Sequence, residues 1–282
     1  MELFQYDFMQ RALAAGIITA ILCPLIGMFI VIRRQSLLGD GLGHIAFAGV
    51  TGGYLAGIYP AIAAIGVTVL GAIGIEMIRR RHSHHADTTL AIFFYAGIAM
   101  AIIFSTMTRM PSAGLLSFLF GSIITVSAAD VALIGILALV VIVTVTLLFQ
   151  KLMLASFDEE IATVSGVDTG KVSIIFSVLT AIVVVVGMMI VGILLVSALM
   201  IVPVATAHLL GRGFKTTLTL ALGFSICAVI VGLILSFHLD IAPGGTIVMT
   251  SIALYLFTMA YTYTQDYNRR YTMSSRYSHH RE

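Results

Sequence analysis

The chain has 282 residues, 60% of them apolar and 10% charged, with a mean hydropathy of +1.09 and a formal net charge of +2. This balance excludes a soluble domain and specifies an all-α polytopic membrane protein embedded in a lipid bilayer. A membrane β-barrel would show short alternating strands, which are absent, and so small a net charge gives no ground for a nucleic-acid partner.

Apolar runs near the roughly 20 residues that span a bilayer fall at 12–32, 43–59, 61–78, 88–108, 130–149, 172–190, 191–210, 216–236 and 246–264. The first ends in Arg33-Arg34 and lacks a small-residue cleavage site, so it reads as a span and not as a removable signal. Leu37 to His44 departs from plain apolar sequence. Asp40 and His44 stand four residues apart, and on a helix that spacing puts both on one face. An Asp at the bilayer centre costs roughly 2.5–3.5 kcal/mol on insertion scales, so such a group marks a pathway, a relay or a ligand. Carboxylate oxygen with imidazole nitrogen is half of a common ligand set for a divalent transition metal. Gly39 and Gly43, then Gly49, Gly53 and Gly57, repeat every four residues and would let neighbouring helices approach closely. Glycines 39, 41 and 43 would also permit an irregular backbone that carries Asp40 deeper than the nearby arginines.

Farther along, residues 172–211 hold no Asp, Glu, Lys or Arg and equal two spans, divided near Gly187–Gly192. Leu115 to Ser127 is too short to cross alone; it reads as an external helix, with extension of the fifth span as the alternative. Arg33-Arg34, Arg79 to Arg81, Lys151, Arg212 with Lys215, and Arg269-Arg270 fall in alternate connections. The positive-inside rule then puts the N-terminus outside and the C-terminal tail, 265–282, in the cytoplasm, which needs an odd number of spans. The cytoplasmic loop 79–87, with His82, His84, His85 and Asp87, reads as a solvated positive loop, with a metal site as the alternative; His279-His280 reads the same way. His208 and His238 are single imidazoles with no ligand role, and Cys23 and Cys227 read as small hydrophobes.

Between the fifth and sixth spans, Ser156-Phe157-Asp158-Glu159-Glu160-Ile161 runs on to Gly166. Ser156 is a candidate N-cap, the three acids suit a helix N-terminus, and Phe157, Ile161 and Val164 would form a small apolar face. This short cytoplasmic helix, 156–166, either packs on its own chain or docks in a partner's groove. Gly166-Val167-Asp168-Thr169-Gly170-Lys171 only mimics a phosphate loop: it has three residues between the glycines where four are required, and Val172 follows the lysine. The chain therefore offers no nucleotide site, and any ATP hydrolysis belongs to another chain.

Taken in order, several segments resemble the membrane subunit of zinc/manganese ABC importers, the ABC-3 permeases. They are Arg33 to Asp40 with His44, Asp87-Thr88, Phe118-Leu119-Phe120-Gly121-Ser122, Ser156 to Glu160, Pro203 to Ala207, and Pro243-Gly244-Gly245. The resemblance covers nearly the whole chain and implies a single 1–282 permease domain of type II importer architecture, working as a homodimer. It also implies a pair of cytoplasmic ATPase subunits, an extracytoplasmic metal-binding protein or lipoprotein, Asp40 and His44 on the metal pathway, and 156–166 as the helix that couples to the ATPase. No cofactor is expected to be bound permanently; Zn²⁺, or alternatively Mn²⁺, is the transported substrate. Tyr6 to Ala12, Arg33 to Leu37 and Phe120 to Thr125 look most like zinc-importing members from Gram-positive bacteria. Two rival classes fit less well. An intramembrane protease lacks HExxH, and Leu37 spoils Gly-x-Gly-Asp at Asp40; an ion-coupled secondary transporter would show inverted repeats and several intramembrane acids.

Overall fold

The computed structural model describes residues 7–81, 86–108, 112–122, 126–211 and 213–278. Among the described residues there is no strand. The helices are α1 (Asp7–Ile32), α2 (Leu38–Ala56), α3 (Pro60–Arg81), α4 (Ala86–Thr108), α5 (Ser112–Phe120), α6 (Ala128–Phe157), α7 (Glu159–Val164), α8 (Thr169–Met188), α9 (Ile193–Leu210), α10 (Phe214–Leu239) and α11 (Pro243–Ser278). Each apolar run of the sequence falls on one long helix, and the charge-free stretch divides where expected, between α8 and α9. The expected C-terminal tail begins as a continuation of α11, which stays helical to Ser278. His82, His84, His85, His279 and His280 lie outside the described residues.

Eight of the described helices are long and apolar enough to cross a membrane, one fewer than the nine runs suggest. The exception is α2, whose 19 residues include six glycines, Asp40 and His44. Its ends nevertheless keep company with both ends of α6. Arg33, just before α2, donates to Ser156 near the end of α6 at 2.9 Å, and Tyr59, just after α2, donates to Asp130 near its start. So α2 runs the length of the bundle. It can carry polar residues because α3, α4, α8 and α9 surround it and lipid does not.

The core lies along α1 and α8. Val183 to Val186 are fully buried, and Phe29 of α1 packs edge-on to Phe149 and Phe176, each 6.3 Å away by ring centroid, with Phe214 at 5.6 Å. Inside a bilayer such packing gains van der Waals contact more than release of water. The outward face of α6, with Ile136, Leu139, Val143 and Leu147, is exposed and suits lipid. On the same helix Thr144 and Thr146 donate back to Val140 and Ile142 carbonyls at 2.7 Å, so neither hydroxyl is left unsatisfied in hydrocarbon.

Between the expected helix at Leu115 to Ser127 and its alternative, extension of the fifth span, the structure has a separate helix: α5 ends at Phe120, and α6 starts afresh with Ser127 as N-cap in a capping box with Asp130. One local detail differs from expectation. The glycine-rich start of α2 is a regular helix from Leu38 and not an inward-dipping irregular stretch, because the glycines are spent on helix contacts.

Candidate metal centre and its supports

Asp40 lies in the first turn of α2, where the helix dipole favours a negative charge, and His44 follows one turn later. Both are half-buried, between the buried neighbours Gly39, Gly41, Leu42, Gly43 and Ile45. The glycines bring other helices up to them. A methyl group on Gly39 would stand 2.9 Å from Ser197 Oγ of α9, and one on Gly43 would stand 3.4 Å from Ile193. From α4, Gly97 lies against the His44 backbone, and Phe94 sets its ring edge-on to the imidazole at 4.5 Å between centroids. Gly49 and Gly53 serve the far half of α2: methyls there would stand 2.7 Å from Ala64 Cα and Ala63 Cβ of α3. Gly57 departs from the packing expectation. It is the C-cap of α2 with a φ of 68°, and open space surrounds its Cα, so its role is the left-handed turn that ends the helix.

Among the described residues no group of three or more His, Cys, Asp or Glu side chains gathers to hold a metal ion. A tetrahedral site built on Asp40 and His44 would need two further ligands, which the described residues do not bring to the pair. Cys23 is buried and Cys227 is exposed on α10; both are free.

At the end of the bundle marked by Arg33 and Arg79, the 156–166 stretch is arranged differently from its expected form. Ser156 does not cap α7. It is buried inside the last turn of α6, and the cap is Asp158, whose Oδ1 accepts from the Glu160 and Ile161 amides at 2.9 Å each. Asp158 wins because α6 runs on through Phe157 and leaves the next carboxylate at the break. The apolar face is real and uncovered: Phe157, Ile161 and Val164 are 64%, 56% and 90% exposed, while Ala162 points inward and is buried. Gly166 closes the helix with a φ of 80°. In the false phosphate loop, Asp168 caps α8 by accepting from the Lys171 amide, and its carboxylate pairs with Lys171 Nζ at 3.0 Å; those bonds hold its pKa below the usual range.

Two buried carboxylates carry no assignment from the sequence. Glu76 of α3 takes a bidentate pair from Arg79 at 2.8 and 3.0 Å and accepts from Ser177 of α8. A cavity of about 380 Å³ lies beside it, walled by the Arg33 to Leu38 turn, Arg79 and Asp87. Asp130, at the opposite end, accepts from Tyr59 and from Ser127, and borders a cavity of about 290 Å³ with Tyr54, Met188 and Met189. Ser127-x-x-Asp130 ahead of an apolar run is a capping signature that could have found the second; an acid inside the 61–78 run, three residues before Arg79, could have flagged the first. At this same end three separate motifs converge. Gly121 and Gly192, with φ of 78° and 91°, place their backbones in contact, and Gly244 presses on the carbonyls of Val191 and Phe120.

A family model described as the ABC 3 transport family matches residues 5–262. A probable metal transport system membrane protein of Treponema pallidum is 36% identical over 262 residues, 92% of this chain and 97% of that protein. The manganese transport system membrane protein MntC of Halalkalibacterium halodurans is 30% identical over 98% of this chain and 94% of its own length. The high-affinity zinc uptake system membrane protein ZnuB of Haemophilus influenzae is 29% identical over 90% and 97%. Among solved structures, PsaBC from Streptococcus pneumoniae in complex with Fab aligns with a TM-score of 0.83 at 30% identity, covering 91% of this chain and 92% of that one.

Proposed function

The chain belongs to the ABC 3 transport family, and from that premise we propose that it is the membrane permease of an ATP-driven importer whose cargo is Zn²⁺. The observation that carries this reading is the Asp40/His44 pair, half-buried one helical turn apart on a helix that α3, α4, α8 and α9 enclose. Two copies of the chain bring two pairs together and complete a four-ligand shell. The shell holds the ion briefly, since a transport site that binds too well cannot release. The N-terminus lies outside, so the arginine-bearing end faces the cytoplasm and Asp40 sits near it. A binding protein delivers the metal to the end that holds Asp130 and the glycine junction. An ATPase pair docks on the uncovered face of α7, and ATP hydrolysis stays on that partner.

A second reading, Mn²⁺ as cargo, is supported by the names of relatives such as MntC. Zinc takes both imidazole and carboxylate, whereas manganese prefers oxygen ligands, so ligand chemistry tilts the choice to zinc through His44. Proteoliposomes holding the chain with its ATPase decide the matter when given labelled zinc or labelled manganese with the binding protein. ATP-dependent zinc uptake, with manganese at least tenfold slower, is expected; manganese uptake without zinc uptake overturns the assignment.

A further inference from the structure

Arg33 stands between the docking helix and the turn that starts α2. Its Nε donates to Ser156 Oγ at 2.9 Å, two residues before the Asp158 cap, and its Nη1 donates to Ser173 Oγ of α8 at 3.2 Å. The guanidinium carbon lies 4.5 Å from the centre of the Phe176 ring. Burial, with Arg79 nearby, pushes its pKa down to about 10, and Glu76 and Glu159 oppose the shift. The third nitrogen, Nη2, is buried without a hydrogen-bond partner among the described residues. A buried guanidinium donor left unpaired is costly, so the fold has reason to offer it a partner in another arrangement.

The geometry supplies that partner. A cavity of about 200 Å³ adjoins Arg33, with Arg34, Arg79, Ser156, Ser173 and Glu159 among its walls. Glu159 is the first residue of α7 and is not within ion-pair distance of Arg33 as the helix now sits. On the other side of Arg33 the chain turns at Arg34 in the left-handed region, φ 56°. Gln35 follows and, with its amide oxygen turned to Arg79, accepts from that guanidinium, which is itself clamped to Glu76. Three residues after Gln35, α2 begins, and Asp40 is in its first turn.

We propose that Arg33 is the positioning residue that passes movement of the docking helix to the metal ligands, by exchanging its serine partners for the Glu159 carboxylate. This rests on the importer reading. In the arrangement described, Arg33 ties the last turn of α6, just ahead of the Asp158 cap of α7, to α8 through Ser156 and Ser173. When the partner pushes α7 into the cavity, Nη2 and Nε take Glu159, and the Arg33–Arg34 backbone follows. The Gln35–Arg79–Glu76 clamp holds the far side of the turn, so the displacement is delivered to the start of α2 and hence to Asp40. Such a pair of discrete hydrogen-bonded states is the kind of bistable element that coupling requires.

The test measures metal uptake and ATP hydrolysis in the same proteoliposomes, with the chain and its co-purifying ATPase. For Arg33→Gln, metal moved per ATP should fall at least tenfold while ATP hydrolysis stays within twofold of the parent. Arg33→Lys, which keeps a charge for Glu159, should recover the ratio to within about threefold. Should Arg33→Gln fail to reach the membrane, the double variant Ser156→Ala/Ser173→Ala removes both resting acceptors and should shift the ratio the same way. An unchanged ratio in that double variant overturns the proposal. So does equal loss of uptake, hydrolysis and thermal stability with no rescue by lysine, which would make Arg33 a structural strut only. Parent proteoliposomes that move no metal on adding ATP would instead overturn the importer reading, and this relay with it.

Discussion

The backbones of His44 and Gly97 are in contact: a methyl group on Gly97 would lie 2.8 Å from the His44 carbonyl carbon. Helix α4 thereby fixes the height and rotation of α2 at the imidazole through Gly97 and Phe94. Gly97→Val should therefore cut metal uptake at least tenfold while both ligands remain. Gly41→Ala, whose methyl would meet only Leu90 at 3.6 Å, should leave uptake within twofold. Uptake by these two variants in one assay separates backbone positioning from ligand loss.

Removing the ligands is the direct test. Asp40→Ala and His44→Ala should each abolish metal-dependent growth in zinc-poor medium with the protein still in the membrane, because no third ligand gathers within the described chain to compensate. Unimpaired zinc uptake by both variants would remove the pair from the pathway.

The uncovered face of α7 gives a cleaner test of docking than its acids do. Val164 is 90% exposed, so Val164→Asp should change stability by no more than about 0.5 kcal/mol. Co-purification of the ATPase should nonetheless drop at least fivefold, as it should for Glu159→Lys. Asp158→Ala removes the cap of this helix, and a loss of about 1 kcal/mol is expected from thermal unfolding in detergent.

At the opposite end, Gly192→Ala would place a methyl 2.5 Å from Leu119 and Gly121 backbone atoms at a φ of 91°. Destabilisation of about 2–3 kcal/mol is expected, and Gly244→Ala should behave alike, since it presses on Val191 and Phe120 carbonyls. Gly245, with open space around it, is the control: Gly245→Ala should be near neutral in the same unfolding measurement.

Tyr59 holds the α2–α3 turn to the start of α6 through Asp130, and that hydrogen bond, with burial and the nearby charge, raises the pKa of the phenol. Tyr59→Phe should cost about 1 kcal/mol at neutral pH. A raised folded pKa means the contribution is fully present below the ordinary tyrosine value of about 10 and is lost as pH climbs through the higher folded value. The stability difference between the parent chain and the Tyr59→Phe variant should accordingly vanish at strongly alkaline pH.

Composition and hydrophobic run length determine a great deal here. A bilayer demands about 20 apolar residues per crossing and internally satisfied backbones, so the number and order of the long helices follow from the sequence alone, as does the break before Ile193, whereas their limits do not, since α6 runs on to Phe157 and α11 to Ser278. The Asp40/His44 pair is also legible, because an acid and an imidazole at helical spacing are conspicuous against apolar surroundings. Short-range capping is legible only in part: Ser156 and Asp158 both qualify as caps, and the length of α6 decides between them. What only the tertiary structure decides are contacts across long sequence separations. Arg33 meets Ser156 and Ser173 from 123 and 140 residues away, Glu76 meets Ser177 from 101, and the Phe120, Val191 and Gly244 backbones close on one another. Each involves common residues in unremarkable local settings. Their meaning comes from helices packed side by side, and no spacing along the chain records which helix lies next to which.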